Sequence, residues 1–405
     1  MSRFLPVSHP LVPNCPSRTK ELRLAPRKRA GRRASRDRRG AAAVLGLFLT
    51  TALIVLMAVS IDLGYVSVAR GELRRSADAA AMAACWQLFD ERVKGTGEHD
   101  LAQAITVAAS NVAARNTICT ESPLLSDEYS DVQLGYYNSE TPALFDTSDP
   151  SKFNAVRVHL RRQDAVNGEV PLFFSQLLGR GSLGLQCSST AAMSASIGGF
   201  RTPPSEDHNI NLLPIALDRE TWEETIAKNT SDDFCVVGGV VKKGGDGIYE
   251  CNLYPQGTGS PGNRGTVDIG GRNNSTADLS RQILHGISRQ DFIDLGKPLM
   301  FDDYGKLYLN GDTGISAGIK DELASIIGQK RLIPIFESVS GNGNNANYTI
   351  IRFEGVRILE VKLTGPMKQK RLVVQPAMTL ARGAVVTNAA TTNSHYAFAP
   401  VRLVQ

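Results

Sequence analysis

From Ala41 to Ile61 the chain runs 21 residues without a charge, AAAVLGLFLTTALIVLMAVSI. As a helix rising about 1.5 Å per residue, the run spans roughly 30 Å, the thickness of a bilayer's hydrocarbon core. A secretory signal has a shorter apolar region, roughly 7–15 residues, and a small-residue cleavage site. Here Asp62-Leu63-Gly64-Tyr65 follows and the helical pattern continues. A retained transmembrane helix over 40–62 is the expectation; a buried soluble helix is the plainer alternative, and the flanking arginines argue against it.

The net charge of +5 has to be read around that helix. Residues 1–39 carry 12 Lys/Arg against Glu21 and Asp37, a net of +10, which leaves −5 for the rest. Five prolines and the lack of apolar periodicity make this segment a disordered basic tail, unable to offset its own ordering entropy. A nucleic-acid arm would have the same charge. Eleven basic residues between Arg18 and Arg39 lie directly before the apolar run, however, and by the positive-inside rule they hold the N-terminus in the cytoplasm. Anionic lipid is then the tail's neighbour, and no nucleic acid is expected.

The exported part reads as α+β. Residues 62–90 lack proline and contain the small-residue run Ala77–Ala84, suited to close helix approach or simply rich in helix formers. A second helix is expected over 100–115, with Leu101, Ile105, Ala108 and Val112 on one face. Strands are expected at 131–138 and 153–162, a short helix at 170–178 and a strand at 183–195, giving a juxtamembrane helix plus a small α+β domain over 63–198. Residues 199–209 have linker composition. A β-rich second domain with a few helices then covers 210–400: helices at 219–228, 277–287 and 316–328, and strands at 331–338, 348–363 (broken at Gly355) and 371–377.

Motifs that could carry chemistry are few. Gly314-Ile315-Ser316-Ala317-Gly318 matches a nucleophile elbow, but only His395 follows and the flanks lack βα alternation, so Ser316 reads as a helix cap. Gly257–Gly262 and Gly179–Gly184 both match G-x-G-x-x-G, and neither leads into a helix. The six histidines are scattered. Asp302, Asp303, Asn310 and Asp312 are oxygen donors that Ca2+ could use, with a polar turn as the plain reading. No cofactor or small-molecule substrate is otherwise suggested. Of the cysteines, Cys235 and Cys251 flank a short Gly-rich excursion. In an oxidising compartment a disulfide there would close a loop of about 15 residues, worth on the order of 3 kcal/mol. Cys119–Cys187 is the second candidate pair.

Arg38-Arg39-Gly40, the apolar run, Asp62-Leu63-Gly64 and then Arg70 to Ala81 (RGELRRSADAAA) resemble the N-terminal segment of TadE/TadG-like Flp pilus-assembly proteins. NAVRVHLRR followed by VPLFFSQLLG, and later LNGDTG and FEGVRI, extend the resemblance. It implies a bacterial inner-membrane, single-pass protein with its C-terminal domains outside the cytoplasm. Such a protein would serve a tight-adherence pilus through interaction with other pilus-assembly or pilin-like subunits, without catalysis. Arg38, Arg39, Gly40, Asp62 and Gly64 would then set the membrane topology, and Leu73, Asp78, Ala79, Ala80 and Ala81 would be candidates for meeting a partner helix. Processed pilin-like members carry Glu five residues after the pre-cleavage Gly; Leu45 stands there, so cleavage after Gly40 is not expected. The alternatives are a minor pseudopilin that enters the filament, and an envelope hydrolase or ligand-binding protein tethered to the membrane.

Overall fold

The computed structural model describes residues 39–405 apart from 95–96, 140, 254–263, 271–274, 342, 367–368, 388–392 and 405. Arg38, Cys15, the rest of the basic tail and the Gly257–Gly262 motif lie outside the described residues. Two compact units are distinguished, 1–57 and 58–405. Within the first, the described residues belong to helix α1 (Arg39–Lys94). Among the described residues, α1 is the one helix long and apolar enough to cross a membrane, and no residue of its most apolar window is buried.

In the second unit α1 continues to Lys94 and is followed by α2 (Glu98–Arg115). Both helices pack on an antiparallel sheet ordered β2-β1-β3-β6-β21: Phe145–Asp146, Val132–Tyr137, Ala155–Arg162, Leu185–Ala192 and Arg402–Leu403. The strand β3 alternates, with Val156, Val158 and Leu160 fully buried and Arg157, His159 and Arg161 on the other face, the period-2 pattern of a sheet covered on one side. Leu73, Ala77, Ala80, Ala81, Ala84 and Leu88 of α1 join Ile105, Ala109 and Ala113 of α2 and those valines in one core.

The expected helix at 170–178 is instead strand β4 (Val170–Pro171), paired with β5 (Ser182–Leu183), with a 3-10 turn at Ser175–Leu178. The expected strand 183–195 is interrupted at Gly184. A larger departure is β21, which brings the C-terminus back to pair Arg402 with Ala192 in the first sheet. The first two residues of the expected linker 199–209 belong to a strand. Strand β7 (Ile197–Phe200) is fully buried between β13 (Leu299–Met300) and β19 (Ala384–Val386).

The β-rich part is built on a sheet that closes on itself. Strands β8 (Ile215–Asp218), β12 (Arg264–Val267), β14 (Leu307–Asp312), β15 (Lys330–Ser340) and β16 (Ala346–Lys362) pair in the ring β16-β14-β12-β8-β15, and β15 pairs back onto β16. The β8–β15 contact is parallel, the others antiparallel. Beyond the ring, β17 (Arg371–Pro376) and β11 (Cys251–Asn252) extend the sheet from β16. Strands β9 (Phe234–Val237) and β10 (Val240–Lys243) form a hairpin, and β18 (Thr379–Leu380) lies parallel to β20 (Ala397–Phe398).

Tyr348 is fully buried among the ring strands, and a Cβ at Gly265 or Gly311 would meet its ring or hydroxyl, so these two positions leave room for it. Helices α3 (Arg219–Ile226), α4 (Thr276–His285) and α6 (Lys320–Ser325) contribute Trp222, Leu279, Ile283 and Leu323 to a second apolar layer. A fourth short helix, α5 (Arg289–Leu295), starts with the capping box Ser288–Asp291, a signal the sequence analysis passed over. Gly355 does not break its strand. β16 runs unbroken through it, and a side chain there would strike the carbonyls of Ala377 and Tyr396, so the glycine serves close packing.

Candidate functional site

Asp62 follows the apolar run by one residue, and its carboxylate is buried. It gathers a remote turn. The backbone N–H groups of Phe173 (2.9 Å), Phe174 (3.1 Å) and Ser175 (2.6 Å) and the Ser175 hydroxyl (2.7 Å) all donate to it. Those amides open the 3-10 turn and would otherwise lack acceptors. Tyr65, one turn along α1, meets Phe173 edge-to-face with ring centroids 5.0 Å apart. Gly179 closes the turn in the left-handed region (φ +84°), which explains the second glycine motif as turn chemistry. Beside this clasp lies a groove of about 260 Å³, lined by Leu63, Val66, Leu172 and Leu183 together with Arg70 and Arg180.

Further along α1 the residues separate into two faces. Leu73, Ala80 and Ala81 are fully buried in the chain's own core, and Asp78 and Ala79 are half-buried. The Ser76 hydroxyl lies 3.4 Å from the Ala113 carbonyl of α2, and Glu72 accepts the Cys119 amide at 2.7 Å. The small side chains thus serve α1–α2 and helix–sheet packing inside the protein, and Leu73, Ala80 and Ala81 are not open to a partner helix. Gly64, Ser67 and Gly71 are exposed, and a Cβ at Gly64 or Gly71 would meet nothing within 4 Å. Internal packing therefore does not call for either glycine. Gly40 is likewise unpacked, and Arg39 opens α1.

The chemistry searched for in the sequence resolves into structure. The Ser316 hydroxyl accepts the Gly318 amide (3.1 Å) as the cap of a short turn before α6. Asp302 accepts the amides of Tyr304 and Lys306, and Asp312 accepts that of Gly314, while the Asn310 side chain donates to Ala346. Among the described residues no group of three or more His, Cys, Asp or Glu is placed to hold a metal ion.

Ser394, His395 and Glu354 do come together, unannounced by any sequence motif. The Ser394 hydroxyl donates to the fully buried Glu354 (2.6 Å), which also accepts the amides of His395 and Tyr396 at 3.0 Å. The serine hydroxyl and the His395 ring (3.1 Å) both address the carboxylate instead of each other, and the cluster pins the 394–396 segment.

The expected Cys235–Cys251 disulfide is absent, and both cysteines are free thiols. Cys251 turns into the core with Trp222 and Leu253, where burial pushes its thiol pKa up to about 12. The Cys235 sulfur lies against Gly244 across its own hairpin. Cys85, Cys119 and Cys187 are free as well.

Residues 40–104 match the family model described as Flp pilus-assembly TadE/G-like, and residues 79–191 match the one described as Tad-like Flp pilus-assembly. Over this stretch, 152 of the 405 residues, the chain is similar to TadE/G-like Flp pilus-assembly proteins. The Tad-like region contains the apolar run, Asp62 with the turn it holds, and the helix-on-sheet core up to β6. It supports a role in pilus assembly and a single membrane anchor. No curated protein and no solved structure matches the chain.

Proposed function

We propose that the protein is a non-enzymatic, single-pass inner-membrane component of a Flp pilus-assembly apparatus that acts by binding other assembly or pilin-like subunits. The basic tail lies in the cytoplasm, the apolar run spans the bilayer, and residues from Asp62 onward fold outside the cytoplasm. The observation that carries this reading is that the Tad-like matches cover the anchor and the folded core attached to it as one stretch, residues 40–191. The exposed Gly64–Ser67–Gly71 face of α1 supports the interaction half: helix interiors disfavour glycine by about 1 kcal/mol relative to alanine, and no internal contact offsets that. No cofactor is needed in this mode of action.

Two measurements test it together. Protease added to spheroplasts should degrade the body and leave a membrane-bound N-terminal fragment, and the intact protein purified from detergent-solubilised membranes should bring pilus-assembly subunits with it. A body protected in spheroplasts refutes the topology, and a mature protein starting at Ala41 would favour a filament subunit instead.

A further inference from the structure

The turn that Asp62 holds presents an apolar surface that the folded chain does not use. Phe173 and Phe174 are exposed, and Leu177 and Leu178 are 83% and 69% exposed. Water-facing leucines in series are costly for an isolated soluble loop, whereas exposure of single ones is ordinary. Their position decides what covers them. Three consecutive amides of the turn are bonded to the residue that ends the apolar run, so the turn is fixed at the level where α1 leaves the hydrocarbon. Ile61 and Leu63, on either side of Asp62, are exposed at that same level.

The groove beside the turn adds the polar half of the pattern. It joins apolar walls from Leu63, Val66, Leu172 and Leu183 to the guanidinium groups of Arg70 and Arg180. Both arginines are exposed, and among the described residues neither forms an ion pair. Long helical side chains lean toward the helix N-terminus, which carries the Arg70 guanidinium back toward the membrane end of α1. Apolar side chains at the boundary with cationic groups just above them match a phospholipid, acyl chain below and phosphate above.

We infer that the Leu172–Leu183 hairpin is a second membrane-contacting element. Its Phe173, Phe174, Leu177 and Leu178 enter the interface of the outer leaflet of the inner membrane, and Arg70 and Arg180 bind the phosphates of lipids seated in the groove. This rests on the anchor reading proposed above. It adds that the body is held against the bilayer at two points, which fixes its orientation about the membrane normal where a lone helix would leave it free to turn.

The test uses the full chain in vesicles of phosphatidylethanolamine and phosphatidylglycerol. An environment-sensitive fluorescent amino acid is introduced singly at the positions of Leu177, Leu53 and Tyr304. Lipids carrying a quencher near the headgroup or deep in the acyl chain then report depth. The expected result is loss of fluorescence at position 177 with the shallow quencher, loss at position 53 with the deep one, and none at position 304. In the Arg70→Gln/Arg180→Gln variant the loss at 177 should shrink in vesicles containing phosphatidylglycerol. Position 177 behaving like 304 while 53 is quenched overturns the second contact and leaves the anchor standing. Position 53 unquenched overturns the anchor, and this inference with it. The fluorophore at 177 and both arginines are exposed, and an unchanged melting temperature in each variant confirms that the fold is kept.

Discussion

Replacing Ala81 by leucine separates the two roles available to the small-residue run of α1. Ala81 is fully buried in the core that α1 shares with α2 and the first sheet, so three added carbon atoms have no space to enter. Overpacking of this kind costs about 2–3 kcal/mol. For a body of roughly 350 residues the unfolding entropy near the midpoint is about 0.7 kcal/mol/K, so Tm should fall by about 3–4 °C. The comparison substitution is Gly71→Ala on the same helix. Its new Cβ meets nothing within 4 Å, and removing a helical glycine gains roughly 0.5–1 kcal/mol, a rise in Tm of about 1 °C. Differential scanning fluorimetry of the detergent-solubilised protein reads both shifts, and recovery of partner subunits in a pull-down is measured alongside. If the alanine run met a partner helix, the result would be inverted: Ala81→Leu would leave Tm unchanged and abolish recovery. That outcome refutes the internal-packing assignment. A Gly71→Ala protein that is more stable yet recovers fewer partners supports the exposed face as the contact.

Truncating Glu354 to alanine strands the His395 and Tyr396 amides and the Ser394 hydroxyl, and should cost about 3–5 kcal/mol, visible as early proteolysis of the C-terminal segment under limited digestion. Asp291 is pulled upward by burial, but hydrogen bonds from Arg281, Ser288 and Gln282 outweigh this and leave its pKa below the ordinary 3.8. The stability it contributes is therefore present above about pH 4 and lost as pH falls through the folded value, so the penalty of Asp291→Asn in urea titrations should shrink below pH 3.8. Gly265→Ala drives a Cβ into the Tyr348 hydroxyl and should destabilise by roughly 1–3 kcal/mol, and Tyr348→Leu in the same chain should recover part of that loss in a double-mutant cycle. Under native conditions Cys85 and Cys251, buried and with thiol pKa values near 12, should resist alkylation while the half-buried Cys119, Cys187 and Cys235 react, and mass spectrometry should find no Cys235–Cys251 cross-link.

What the sequence discloses here follows the range of each interaction. The apolar run, the Ala-rich helix and the alternation in Ala155–Arg162 are local patterns, and each became the element expected of it. The same local reasoning assigned a helix to 170–178, because it could not know that the turn's amides would be taken by a carboxylate 111 residues earlier. The closure of the ring through β15 and β16, the parallel β8–β15 contact and the return of the C-terminus to the first sheet depend on pairings between distant segments, and no periodicity within a strand encodes its partner. Cysteine spacing misled for a related reason. A short excursion brings chain positions near, but the side chain of Cys251 follows the core beneath α3 and not the loop above it.

Asp62, Glu354, Glu250 and Asp291 share one device. Each is a buried carboxylate that accepts backbone amides from a neighbouring or remote turn: Phe173 to Ser175, His395 and Tyr396, Asp233 and Phe234, and Ser288. With no disulfide among the described cysteines, these clasps perform the loop-fixing that cross-links supply in many exported domains. The difference matters for an assembly protein. A disulfide fixes a loop wherever it forms, whereas a carboxylate clasp forms only when the elements on both sides are already folded against each other. The Asp62 clasp therefore makes the placement of the 173–178 turn conditional on correct folding of the core between them. On the membrane-contact proposal above, a body that has not folded would not present its apolar turn at the end of the anchor, so seating would wait on folding.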